Sequence, residues 1–262
     1  MTLQRMSPRV EPVGEASVPV FPNGRSPRPL AWLVIAFALL PASLAFVDDR
    51  VGFRLVMGAL ALTILTVGVG LHVMLGAVEP RVVSIDAAAR ALRFAPSAAA
   101  TAPTLVMAFA LLLPALAQLV VDVAALPTMP ASFLLSRGPY ALGALGVVIL
   151  AVRLWQTRVP AGLELSPEGL RGIRGRARVE WRWEDLAEAG VVAGPAAKLS
   201  LVSRGGTGSP VLAPAIALGS DPNQVAAIVR YYLERPAERT VLADGGIAAV
   251  RRVEDALRER TT

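Results

Sequence analysis

The chain has 262 residues, 54% hydrophobic and only 18% charged, against about 25% charged in an average soluble domain, and its mean hydropathy is +0.55. The formal charge is +6, and of the 26 basic residues only Lys198 is a lysine. Cysteine is absent and there is one histidine, which excludes disulfide frameworks, thiolate metal sites, cysteine nucleophiles and multi-histidine metal centres.

Residues 1–29 hold six prolines and little apolar periodicity, so they read as a disordered, mildly basic tail. Four long apolar stretches follow: Leu30–Val47, Leu55–Val78, Pro103–Leu126 and Gly138–Trp155. Each approaches or exceeds the ~20 residues that cross a ~30 Å hydrocarbon layer, and none carries the polar stripe of a soluble core helix. The sequence therefore predicts a four-helix transmembrane domain over residues 30–156. Ala42-Ser43-Leu44-Ala45 resembles a signal-peptide cleavage site, but the basic leader is long and no translocated domain follows, so the first segment is read as a span.

Arginine placement sets an expected orientation, because basic loops resist translocation. Arg5, Arg9, Arg25 and Arg28 precede the first span; Arg81, Arg90 and Arg93 lie between the second and third; Arg153 and Arg158 follow the fourth. The other two loops hold Arg50 and Arg54, and Arg137, with Asp48, Asp49 and Asp122 nearby. Both termini are expected in the cytoplasm, with the chain in the inner (plasma) membrane. His72 and Asp122 fall at opposite ends of their spans, which suits two side chains reaching for the nearest interface and not a proton relay. Pro41, Pro103 and Pro114 are positioned to kink or start helices. Gly58, Gly68, Gly70, Gly143 and Gly146 admit close helix packing, and self-association is left open.

The loop 79–100 is strand-like. Val82–Phe94 follows the first pair of spans as Gly162–Arg174 follows the second, and both read as strand, turn, strand with arginines at the end. On this reading residues 81–95 would add strands to the domain that follows; a short amphipathic loop is the alternative. Beyond Trp155 the pattern turns to short alternating runs. Strands are predicted at Gly162–Ser166, Gly169–Arg174, Ala177–Glu184, Ala187–Val192, Lys198–Ser203, Val211–Ala213 and Ala215–Leu218. Asp221 then suits an N-cap, Pro222 the first helical position and Gln224 a capping box, with Val225, Ile228, Val229 and Tyr232 on one face and Pro236 as the stop. A last amphipathic helix is predicted within 244–262, with Ile247, Val250, Val253, Ala256 and Leu257 along one side.

The run Gly162-Leu-Glu-Leu-Ser-Pro-Glu-Gly-Leu-Arg171, the run Val179-Glu-Trp-Arg-Trp-Glu-Asp-Leu186, and a Gly-Ser-Asp-Pro opening before a helix ending in Tyr231-Tyr232 and Arg235-Pro236 resemble bacterial pleckstrin-homology-like domains. Membrane-tethered members of that family place the domain after a transmembrane hairpin. The resemblance covers residues 160–240. It implies a mostly-β barrel of two near-orthogonal sheets capped by one helix, no catalysis, and no binding residue that carries over.

The sequence holds none of the motifs that mark phosphate-binding loops, hydrolase elbows or zinc helices, so neither an enzyme nor a cofactor is expected. One cluster stands above background. Arg171, Arg174, Arg176, Arg178 and Arg182 fall close together with Glu180 the one acid among them, shortly after the fourth span. Juxtamembrane arginines gain about 1 kcal/mol each from anionic headgroups, so these five are the candidate surface for lipid or a protein partner, weighed against an ordinary solvated strand face. Nucleic acid is not expected, since residues 156–262 hold 15 basic and 13 acidic side chains. The expected role is a binding or scaffolding module contacting protein partners or anionic lipid. A non-catalytic subunit of a membrane transport assembly is the alternative.

Overall fold

The computed structural model describes residues 3–8, 18–21, 28–128, 133–174, 178–194, 196–205 and 209–259. The chain divides into two compact units: a helical one formed by Pro27–Gly76 and Thr101–Trp155, and a β-rich one formed by Met1–Ser26, Ala77–Ala100 and Gln156–Thr262.

The helical unit carries the four apolar spans, Arg28–Val47, Val51–Gly76, Ala98–Val123 and Ser136–Gln156, each long and apolar enough to cross a membrane. Two of the four are interrupted, and by the same chemistry. The first splits into α1 (Arg28–Phe37) and α2 (Leu39–Val47), and α1 ends at Phe37, four residues before Pro41. A proline has no N–H for that carbonyl, and its ring crowds it. α3 (Val51–Gly76) is continuous. The third span parts into α4 (Ala98–Ala110) and α5 (Leu113–Val123), again four residues before a proline, Pro114. α6 (Phe133–Gln156) contains Pro139 without a break.

Small residues set the helix approaches. A Cβ on Gly68 of α3 would meet Ile35 Cγ1 of α1 at 2.6 Å, and one on Gly143 of α6 would meet Ala115 Cβ of α5 at 2.5 Å. Phe53, Val56 and Met57 of α3 cluster with Ala117 and Val121 of α5. The outward faces remain apolar, with Leu33, Phe46, Val69, Val106 and Val148 all exposed, as surfaces solvated by lipid would be.

The β-rich unit is drawn from three separated pieces of chain. Its larger sheet is an antiparallel meander in strand order β1 (Leu3–Met6), β2 (Val83–Asp86), β3 (Leu92–Phe94), β4 (Leu163–Leu165), β5 (Gly169–Gly172) and β6 (Val179–Arg182). A single 3-10 turn, Trp183–Asp185, leads into a second sheet of β7 (Leu186–Val192), β8 (Lys198–Ser203) and β9 (Val211–Pro214). The unit closes with α7 (Ala215–Leu218), α8 (Pro222–Glu234), a 3-10 stretch Pro236–Asp244 and α9 (Gly246–Arg258). One core is built from two of the pieces, Val83, Ile85, Leu92 and Phe94 from the loop between spans with Leu163, Trp183, Leu201, Tyr232 and Val250 from the C-terminal piece, and Met6 of the N-terminal piece packs against it.

Several expectations need correction. The tail is not wholly without structure: Leu3–Met6 pairs with β2, and Val20 packs with Val78 and Ala215. Apolar residues beside an open sheet edge gain both backbone hydrogen bonds and burial there. Ala215–Leu218 is a helical turn instead of a strand, because Gly219 closes it in the left-handed conformation (φ 64°) and Ala-Ile-Ala-Leu has little β preference. The sheets do not close into a barrel, since the 3-10 turn interrupts the ladder between β6 and β7. The β unit is wider than residues 160–240, taking in β1 to β3 and α9. The last helix packs into that unit: Ala249, Val250 and Val253 are fully buried, and Ala249 O accepts the Tyr232 hydroxyl at 2.8 Å.

Candidate functional site

The basic hairpin is β5 and β6, and its register decides which charges are available. Alternation puts Leu170 and Val179 into the core and Arg171, Glu180 and Arg182 outward. Cross-strand partners then run Arg93–Glu164, Glu164–Arg171 and Arg171–Glu180, a row of alternating charges across four strands. Arg171 grips Glu164 with Nε at 3.0 Å and Nη2 at 2.6 Å, and Arg178 holds Glu180 at 2.8 Å. Two of the five candidate arginines are thereby neutralised. Arg182 is exposed, and its backbone N–H donates to Asp185 Oδ2 at 3.1 Å. Arg176 lies outside the described residues. Among the described residues the hairpin's basic charge is interrupted by the paired Glu164 and Glu180.

Arg174 stands apart from Arg171, Arg178 and Arg182. Backbone turns at Gly172 (φ 108°) and Ile173 (φ 67°) carry the chain out of β5, and Arg174 Nε donates to the Gln156 carbonyl at 3.2 Å. A β-branched residue rarely occupies the left-handed region, and Ile173 is held there by full burial and by its N–H donating to Gly162 O. Gly162 (φ 86°) has to be glycine, since a Cβ would lie 1.9 Å from Phe94 O. Arg93 reaches the same link from β3, with Nη2 at 3.3 Å from Ala161 O. Arg158 lies within the link, exposed. The sequence presented Arg93 and Arg158 only as members of a charge count; the parallel between Val82–Phe94 and Gly162–Arg174 was the signal that could have brought Arg93 into the site.

A second constellation ties the unit together. Asp221 caps α8 and is 3% exposed; its Oδ1 accepts from Asn223 N at 2.9 Å, and its Oδ2 from Arg81 N at 2.7 Å. Ser220 Oγ accepts from Ser84 N at 2.9 Å. Asn223 clamps one residue of the N-terminal piece, accepting from Val18 N at 3.0 Å and donating to Val18 O at 2.8 Å. The Gly-Ser-Asp-Pro opening is thus the knot between all three chain pieces. Gln224 is buried, and Asp221 with Asn223 performs the capping that was expected to involve it.

In the helical unit Asp122 accepts from Gln118 Nε2 at 2.8 Å and from the Tyr140 hydroxyl at 2.5 Å, which joins α5 to α6. His72 meets Trp32 edge to face, with ring centroids 5.3 Å apart. The two groups do not touch each other. Among the described residues no three His, Asp or Glu side chains gather as metal ligands would. No protein-family model matches the chain, and no curated protein or solved structure is similar to it.

Proposed function

We propose that this protein is a membrane-anchored binding or scaffolding module, non-catalytic, whose β unit stands in the cytoplasm and contacts other proteins at the inner-membrane surface. The observation that carries the reading is the single packed unit built from three pieces of chain separated by spans. A bilayer cannot pass through one packed unit, so the N-terminal piece, the loop 77–100 and the C-terminal piece belong on one side. These are the arginine-rich segments, and the positive-inside rule puts that side in the cytoplasm. Two sheets followed by an amphipathic helix suit the pleckstrin-homology-like resemblance, here with a larger first sheet. Outside the spans, the exposed large apolar side chains among the described residues are Val192 and Leu212, both on the second sheet. They are where a partner would gain apolar contact.

Photo-crosslinking in intact membranes tests this. A benzophenone side chain is placed at Val192 or Leu212, and in separate variants at Leu62 or Val147 on the exposed span faces. Discrete protein adducts from the second sheet support the module. Adducts confined to the spans contradict it and favour a subunit of a transport assembly.

A further inference from the structure

Three arginines of the β unit that form no ion pair among the described residues gather on the link 156–161. Arg158 is part of the link, Arg174 donates to the carbonyl at its first residue, and Arg93 donates to the carbonyl at its last. Arg93 also has a buried Nε with no hydrogen-bond partner. The cause lies in the register. Arg93 faces Glu164 across β3 and β4, but Arg171 has already engaged that carboxylate from the other side. A buried donor without an acceptor costs about 1–3 kcal/mol, more on a charged group, so the Arg93 guanidinium keeps unmet donor capacity beside the link.

Location selects that acceptor. Gln156 closes the fourth apolar span, so the carbonyl held by Arg174 lies where hydrocarbon ends, and the link continues through the headgroup layer. The anion at that depth is phospholipid phosphate, whose oxygens match the forked donors of guanidinium. We propose that Arg93, Arg158 and Arg174 hold the phosphate of an anionic phospholipid where the chain leaves its fourth span. The site rests on the helices crossing a bilayer, and not on the partner-binding role.

The test titrates dioctanoyl phosphatidylglycerol into the full chain in neutral detergent, with binding read by native mass spectrometry. Exchanging both Arg93→Gln and Arg174→Gln weakens the tightest site by about thirty-fold, from about 1 kcal/mol per arginine and 1.4 kcal/mol per decade. Arg158 has no contact to lose, so Arg158→Gln leaves folding intact and weakens the site by about fivefold. Arg178→Gln with Arg182→Gln leaves the affinity unchanged, and inorganic phosphate at the same concentration does not compete. Unchanged affinity in both the Arg158 variant and the double variant overturns the proposal, as does displacement by phosphate alone. Vesicle flotation after alkaline extraction reads membrane embedding separately: a chain that fails to float overturns the spanning reading, whereas loss of the lipid effect alone overturns only this site.

Discussion

Thr63 shows how one hydroxyl repairs a broken span. Pro114 removes the N–H that would bond the Ala110 carbonyl, and Thr63 Oγ1 lies 2.8 Å from that oxygen and 2.8 Å from Ala59 O. Removing the hydroxyl leaves Ala110 O without its cross-helix donor. Thr63→Val should lower stability in detergent by about 1 kcal/mol, and Thr63→Ser should keep most of it, as read from thermal or denaturant unfolding. Equal losses in both variants would show that shape and not the hydrogen bond matters. In the β unit Glu238 joins α8 to α9, accepting from Arg252 at 2.8 and 3.1 Å and from the Tyr231 hydroxyl at 2.5 Å. Those donors hold its carboxyl below the ordinary value of 4.5. The stability it contributes is present above that value and is lost as pH falls through the lowered one. Tyr231 shifts the other way, pushed up to about 12 by burial first and then by Glu238, so its contribution is complete below pH 10 and fades between 10 and about 12. Unfolding of the full chain followed by tryptophan emission should show the acid-side slope shrink in Glu238→Gln. An unaltered slope below pH 4.5 would assign the acid sensitivity to other groups.

Between elements, the register of β3 on β4 matters most. Leu92 pairs with Leu165, and Phe94 with Leu163, all four fully buried. A C-terminal piece alone would expose this seam and lose four fully buried side chains from its core: Val83, Ile85, Leu92 and Phe94. Residues 156–262 expressed without the loop should therefore fail to reach a cooperative fold, while joining residues 77–100 to them through a flexible linker should restore one, as seen by denaturant unfolding. Phe94→Ala in the full chain should cost about 3–5 kcal/mol for the same reason. A fully cooperative 156–262 fragment would contradict the shared core. Much of this layer was legible. The apolar runs gave the four spans within a few residues, and alternation gave six of the seven strands expected after the fourth span. The paired hairpins at 82–94 and 162–174 pointed toward a common sheet. Other features lay beyond local pattern. Leu3–Met6 has no signal of its own, because it is a strand only where β2 offers an open edge. The fate of the arginines was equally hidden: composition counts five cations in the hairpin, and only register shows Glu164 going to Arg171 and leaving Arg93 without it.

For the whole molecule, topology and folding constrain each other. Four spans carry the chain back and forth, and the pieces outside them alternate between short links and the parts of one β unit. The knot of Ser220, Asp221 and Asn223 draws Val18, Arg81 and Ser84 together, so the unit can complete itself only after the fourth span is in place. This makes correct placement of the spans a condition of completing the β unit. The central claim is that β3 and β4, separated in sequence by the third and fourth spans, lie side by side. The chain has no cysteine, which allows a direct measurement. Arg93→Cys with Glu164→Cys places the only two thiols opposite each other on adjacent strands, where about 4.5–5.5 Å separates the Cβ atoms. Oxidation of the full chain in native membranes should convert this pair to an intramolecular disulfide, and Arg93→Cys with Arg182→Cys, farther across the sheet, should stay reduced. Cross-linking of the first pair no faster than the second would contradict a shared sheet, and with it the single β unit on one face of the membrane.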